Sequence, residues 1–288
     1  MRPGLFTLLA WAATGCGENL TFGQSDGGSA PGSLSCLPNL DGQITAAEAR
    51  PVLGRSVSFL VSGATGGGAV QRVDTAGVVA ADGRRVWDWS RGESAERTAA
   101  VVAVPLAAQW YSAWFPGGEF VAPLDAAGRL DAIYSIDEAA LYLHGSASRT
   151  ESPAAGRTLL PYITPVALLR FPLSVGRRWT EVGEVRSGSL DGLSPWSQDD
   201  SYEVAVDESG ELVLTGFRFQ QVLRLAIKIS AAPKTGGAAP TSVREVLFMF
   251  ECFSVDVARA TSPVFVTPDT DPGASFAVAE EVRRLGWF

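Results

Sequence analysis

The chain has 288 residues, a formal net charge of −8, and 46% apolar against 19% charged residues. That apolar share supports a packed core and excludes a globally disordered chain. The acidic balance, with no basic stripe, excludes nucleic acid as a natural partner and gives no attraction to an anionic membrane surface.

The first segment has a short basic start at Arg2, an apolar run from Leu5 to Ala13, and small residues Ala13-Thr14-Gly15 leading to Cys16. The run is too short to span a bilayer, which takes roughly 20 residues. It resembles a bacterial lipoprotein signal with its lipobox, departing from the family where Ala13 replaces the usual leucine. The resemblance implies a signal peptide over 1–15 and a mature chain beginning at a diacylated Cys16, anchored in the cell envelope at the outer membrane. A plain secretory signal is the alternative. Two or more acyl chains suffice for stable anchoring. Residues 16–35 are then the lipidated cysteine and a Gly/Ser-rich tether of roughly 25 Å end to end. With Cys16 assigned to lipid, Cys36 and Cys252 remain as an even pair in an oxidising compartment. They form a disulfide or stay as two buried thiols.

Residues 36–56 carry Asn39-Leu-Asp41-Gly42-Gln43-Ile44-Thr45-Ala-Ala-Glu48. This resembles the second half of an EF-hand calcium loop. Asn39 and Asp41 would offer side-chain oxygens, Gln43 its carbonyl, Thr45 a direct or water-mediated contact, and Glu48 the closing carboxylate. The first loop position departs from the pattern, being Leu37, and Pro31-Gly32 leaves no incoming helix. Thr45 to Glu48 also reads as a capping box and Asp41-Gly42 as an ordinary turn, with no calcium required. A short helix over Thr45 to Arg50 ends at Pro51.

Residues 57–288 follow a period of two. Leu223, Leu225, Ile227 and Ile229 alternate with Arg224, Ala226 and Lys228, the pattern of a half-buried antiparallel strand. Val246 to Val255 is apolar on both faces and reads as a covered central strand. Further strands are expected over 57–62, 70–79, 84–89, 99–104, 109–115, 119–123, 130–135, 140–148, 179–186, 202–206 and 211–214. Turns at Asp82-Gly83, Pro116-Gly117-Gly118 and Ser209-Gly210 join them. Leu159 to Leu173, punctuated by prolines, is expected to bridge two halves of the sheet. Phe276 to Leu285 places Val278, Val282 and Leu285 on one stripe and predicts a C-terminal helix. The fold class is therefore mainly β: an antiparallel meander curled into a half-barrel or barrel, with a short N-terminal helix and one C-terminal helix.

Phe171-Pro-Leu-Ser-Val-Gly-Arg-Arg-Trp179 resembles a phrase common in exported β-rich bacterial proteins. Residues 201–262, with Gly210-Glu-Leu-Val-Leu-Thr-Gly and Phe250-Glu-Cys-Phe253, resemble a family of uncharacterised bacterial lipoproteins. The resemblance implies an envelope location and a β-rich fold, and suggests a curved half-barrel like that of lipoprotein carriers.

Candidate chemistry is sparse. The single histidine, His144, excludes multi-histidine metal sites and reads as a strand-face hydrogen bond. Trp87 and Trp89 share one strand face, as do Trp110 and Trp114 if that segment is a strand; both pairs read as core, with an aromatic platform for sugars or lipids as the alternative. Glu251 lies in an apolar run, with Arg224 a candidate partner. Asp199-Asp200 and Asp269 to Gly273 read as exposed turns. The abundant arginines read as genome composition. The expected role is a lipid-anchored envelope protein that binds or scaffolds an envelope protein, a lipid or a glycan. A carboxylate-dependent glycan-acting enzyme and a calcium-stabilised adhesin-like module are the alternatives.

Overall fold

Strand alternation, rather than local helix propensity, decides nearly all the secondary structure. The computed structural model describes residues 36–63, 70–92, 96–125 and 127–286. The signal, Cys16 and the tether lie outside the described residues. A one-turn helix α1 (Ala46–Ala49) precedes β1 (Ser56–Gly63), β2 (Gln71–Arg72), β3 (Val78–Val79), β4 (Arg85–Trp89), β5 (Arg97–Val102), β6 (Val104–Pro105), β7 (Phe120–Pro123) and β8 (Leu130–Ile136). Then come β9 (Ala140–Ser148), β10 (Leu159–Arg170), β11 (Arg178–Leu190), β12 (Leu193–Leu214), β13 (Phe217–Pro233), β14 (Thr241–Met249), β15 (Ala258–Thr261), β16 (Val278–Ala279) and β17 (Glu281–Leu285).

Thirteen strands form one hydrogen-bonded path, in the order β5-β1-β17-β15-β14-β13-β12-β11-β10-β9-β8-β7-β6. The two ends of this path, β5 and β6, are consecutive in the chain and separated only by Ala103. The run 97–105 therefore pairs with β1 along its first part (Ser56 opposite Val102) and with β7 along its second (Val104 opposite Val121). The chain crosses from one sheet edge to the other at Ala103, whose carbonyl accepts the Gly54 N–H at 2.8 Å. The result is an antiparallel barrel, nearly closed. Outside it, β3 and β4 form a flap, with β4 running parallel to the far end of β12 (Arg85 opposite Gly210).

The inner face of β7 to β14 is apolar. Tyr202, Val204 and Val206 of β12, Leu223, Leu225 and Ile227 of β13, and Leu247 and Met249 of β14 join Phe120, Leu143, Val166 and Trp179 in one buried cluster. Ile44, Ala46 and Ala49 belong to the same cluster, so α1 covers the end of the barrel where β8, β10 and β14 finish. The opposite face of β14, β15 and β17 holds Val246, Phe248, Ala258, Ala260 and Val282, packed beneath Trp87 and Trp89 of the flap. Both indoles lie about 5 Å from the Phe248 ring, at 4.9 and 5.1 Å. This is the two-sided burial expected of the run from Val246, but the strand ends at Met249 and residues 250–255 are turn and bend.

A polar ladder crosses β10 to β12. Gln198 donates to Asp200 at 2.8 Å, and the Tyr162 hydroxyl donates to the other Asp200 oxygen at 2.7 Å while meeting the Tyr202 hydroxyl at 2.7 Å. The Tyr162 ring lies against Gly183, where a Cβ would come within 2.6 Å of it. Burial raises the Asp200 carboxyl above its ordinary range and pushes both tyrosines up.

Several expectations are corrected. Phe276 to Leu285 is not a helix: it forms β16 and β17, and β17 fills the slot between β1 and β15. Its ladder pairing with two neighbours overrides a helical stripe only a few residues long. The 109–115 segment forms no strand but a 3₁₀ turn over Ser112–Trp114, leaving Trp114 exposed. Leu159 to Arg170 is no bridge but strand β10, whose prolines sit beside register shifts in its pairing with β9. Asp199 and Asp200 are not in a turn; both lie within β12, and Asp200 is buried. Asp271 is gripped by the Arg244 guanidinium at 2.6 and 2.9 Å, not free in an exposed turn.

Trp87 is fully buried and its indole N–H donates to the Thr75 carbonyl at 3.1 Å, whereas Trp114 is 53% exposed. Trp87→Ala should cost about 3–5 kcal/mol in urea unfolding, and Trp114→Ala should stay within about 0.5 kcal/mol of the parent.

Candidate functional site

Three groups of side chains have the chemistry to act. The first is the N-terminal clip. Cys36 and Cys252 are joined by a disulfide with a Cα–Cα distance of 5.6 Å across 216 residues of sequence. The Glu251 carboxylate beside it accepts the Leu40 N–H at 2.7 Å. Arg224 is not its partner: that guanidinium is held by Asp207, by the Thr75 carbonyl at 3.0 Å and by Ser275 at 3.0 Å. The residues with calcium-loop spacing serve one another. Asn39 donates to Asp41 at 3.2 Å, the Gln43 N–H donates to Asp41 at 2.8 Å, and Glu48 accepts both the N–H and the hydroxyl of Thr45 at 2.7 and 2.8 Å. Both bonds fall on Oε2 of Glu48, which closes the capping box. It lies within 4.8 Å of the Cys36 and Cys252 sulfurs, but these are bonded to each other and offer no thiolate.

The second group is on adjacent strands β8 and β9. The Ser135 hydroxyl lies 2.8 Å from Nε2 of His144. The register slips between Ile133 and Tyr134, which leaves His144 as the extra residue of a bulge. Burial lowers the imidazole pKa, outweighing the opposite pull of Glu119. His144 is thus neutral near pH 7 and holds the strand-face hydrogen bond expected of it.

The third group was not foreseen. The seam where β5 meets β7 is splayed open. Pro123 has no N–H to continue the ladder beyond Ala103, and a cavity of about 210 Å³ lies between the strands. Its walls are Arg97, Ala99 and Val101 of β5, Pro123 of β7, Asp125 and Gly128 of the β7–β8 turn, and Arg149; Phe59 and Arg283 also line it. Gly128 has φ +65°, and a Cβ there would come within 3.0 Å of the Arg149 guanidinium. Glycine therefore lets that guanidinium lie against the turn.

Behind the cleft stands a buried ionic group. Arg259 pairs with Asp256 at 2.8 Å and Glu245 at 3.6 Å, and Arg283 with Glu281 at 3.4 Å. Burial opposes ionisation of Asp256, but the Arg259 and Arg283 guanidiniums outweigh it and hold the carboxyl below its usual range. Burial raises Glu281 despite Arg283, Arg259 and Arg97. Burial, with Arg259 as a like-charged neighbour, lowers Arg283.

Compared with models of known protein families, with curated proteins and with solved structures, the chain matches none. Function is therefore argued from the molecule's own geometry. What that geometry offers is a largely closed β-barrel with a charged cleft and a covalent clip.

Two outcomes follow. Replacing Cys36 and Cys252 by serine should lower stability by roughly 2–5 kcal/mol, read by urea unfolding against the parent. The His144 contribution to stability should be complete above about pH 6.5, the unfolded-chain value. It should fall as pH drops through the lowered folded value, because the unfolded chain takes a proton that the buried ring refuses. In a pH series of unfolding curves, His144→Gln should remove that component; an unchanged series would assign it elsewhere.

Proposed function

We propose that this chain is a lipid-anchored protein of the bacterial cell envelope, held at the outer membrane through Cys16, whose barrel binds or scaffolds a partner there. The observation that carries the reading is the Cys36–Cys252 disulfide. Disulfides persist in oxidising compartments such as the periplasm and are rare in the cytosol. The bond thus supports export, and the small residues before Cys16 support lipid as the end point of that export. Among the described residues no helix is long and apolar enough to cross a membrane.

The partner meets the barrel from outside. Side chains from β7 to β14 pack the apolar part of the interior and α1 covers one end, so an acyl chain finds that space already filled. This favours an envelope protein or a glycan over a lipid held inside. The seam cleft is the concave surface such a partner would address. Among the described residues lining it, Asp125 is the single carboxylate. A glycosidase of the usual kind needs two carboxylates facing one site, so binding suits the cleft better than hydrolysis.

Mass spectrometry of the mature protein should find a diacylated Cys16 as its first residue. Cys16→Ala should move the protein from the membrane to the soluble fraction. An unmodified terminus beyond Cys16 would defeat the anchor.

A further inference from the structure

We infer that the polar side of the barrel interior is a binding chamber for a neutral sugar, held by the Tyr134 hydroxyl together with Glu245, Arg259, Glu281 and Arg283. Register places the four charged groups on one surface. Leu225 stands opposite Leu247, Leu247 opposite Arg259, and Arg259 opposite Arg283. Leu225 and Leu247 belong to the inner apolar cluster, so both arginines share the inner face. Glu245 and Glu281 lie two residues along their strands, each opposite Thr261, and point the same way. Tyr134 comes from the far wall, on β8, where it packs against the inner cluster and stacks on Phe120 at 5.6 Å. Burial pushes its phenol up to about 12, and the charges acting on it are those of Arg259, Glu245, Arg283 and Asp256. The two walls thus face each other across the interior.

These groups do not fill the space between them. β15 lies in mid-sheet, with Ala258 and Ala260 of its outer face covered by the flap cluster. An inner-face side chain there meets solvent only through the interior. Yet Arg259 keeps 19% of its side-chain surface accessible, Glu245 15% and Glu281 13%. Tyr134 is half-buried, and its hydroxyl keeps accessible surface without a hydrogen bond to any described residue. Nη1 of Arg259 stands 3.6 Å from Glu245, too far for a hydrogen bond. Deep polar groups that are neither paired nor occluded mark a wetted chamber. A barrel of about eight strands is filled by side chains or one small ligand, and one of about sixteen holds a water channel. Thirteen strands leave room beyond the apolar cluster.

Charge decides the class of ligand. Arg97, Arg259 and Arg283 are matched in number by Glu245, Asp256 and Glu281. An entering ion meets no surplus of the opposite sign. The chamber offers instead a mixture of guanidinium donors, carboxylate acceptors and a phenol that serves as either. Neighbouring sugar hydroxyls, each able to give and to take a bond, replace water against such a set. The Tyr134 and Phe120 rings supply flat apolar surface for the C–H face of the sugar. Entry is through the seam cleft: Phe59, two residues from the Val61 that stands opposite Arg283, shares the inner face, and both Phe59 and Arg283 line the cleft.

The inference rests on the binding reading and is independent of the lipid anchor. The purified mature chain should be titrated calorimetrically with glucose, galactose and N-acetylglucosamine, each beside a disaccharide ending in it (maltose, lactose and chitobiose). Glucuronate and octanoate serve as charged and apolar controls. Saturable binding of a neutral sugar at millimolar concentration or below is expected, with weaker binding of both controls. Tighter binding of the disaccharide assigns a glycan end, and of the monosaccharide a free sugar. Tyr134→Phe should weaken that binding by at least about tenfold, the equivalent of one charge-assisted hydrogen bond. It should leave the thermal melt in place, because the hydroxyl bonds to nothing in the fold. Silence with every sugar, preference for either control, full affinity in Tyr134→Phe, or a melt lowered by that substitution would overturn the chamber. Any of these would leave the membrane-anchored scaffold to its own test at Cys16.

Discussion

A sheet of thirteen strands has two edges, and edge N–H and C=O groups must be paired, covered or wetted. This protein meets that constraint with one stretch of chain. Residues 97–105 are both the first and the last strand of the path, and the hand-over happens at Ala103. Everything else is arranged around that crossing. The inner face of β7 to β14 becomes an enclosed core, α1 is required only as a cover at one end, and the outer face of β14, β15 and β17 is left for the flap and its two tryptophans.

Closure of this kind cannot be perfect. One run of chain cannot lie flat against two neighbours that diverge, and Pro123 forbids the next ladder bond. The barrel therefore has a zipped part and an open part. The open part coincides with the ionic half of the domain, where Arg97, Arg283, Arg259, Asp256, Glu245 and Glu281 neighbour one another. Buried ion pairs are weak sources of stability, because desolvation offsets most of their attraction.

Much of this was legible from residues, for reasons that can be named. Leu223 to Ile229 reads as a strand from its period of two, but it is not half-buried: Val222, Arg224 and Ala226 on the second face are buried as well as Leu223, Leu225 and Ile227. Thr45 and Glu48 mark the start of α1 because a capping box is a local event. Counting left Cys36 and Cys252 open between a disulfide and two buried thiols, and the structure bonds them. What failed was non-local. Phe276 to Leu285 has helical spacing by itself and becomes strand only because β1 and β15 leave a gap for it. Asp200 reads as a turn residue until Tyr162, forty positions from Tyr202, is seen to bond both. The cleft left no motif at all. Its arginines come from separate strands and a strand end, and in sequence they are indistinguishable from the surface arginines of an arginine-rich chain.

The disulfide has a mechanical meaning. Cys36 and Cys252 enclose every residue from 37 to 251 in a covalent loop, which contains α1 and the strands from β1 to β14. Tension applied to the chain before Cys36 passes through the sulfur bridge to Cys252 and bypasses that loop. Load of that origin cannot peel β1 from β17 or draw out α1 in sequence. It arrives instead at the turn after β14, where Cys252 stands.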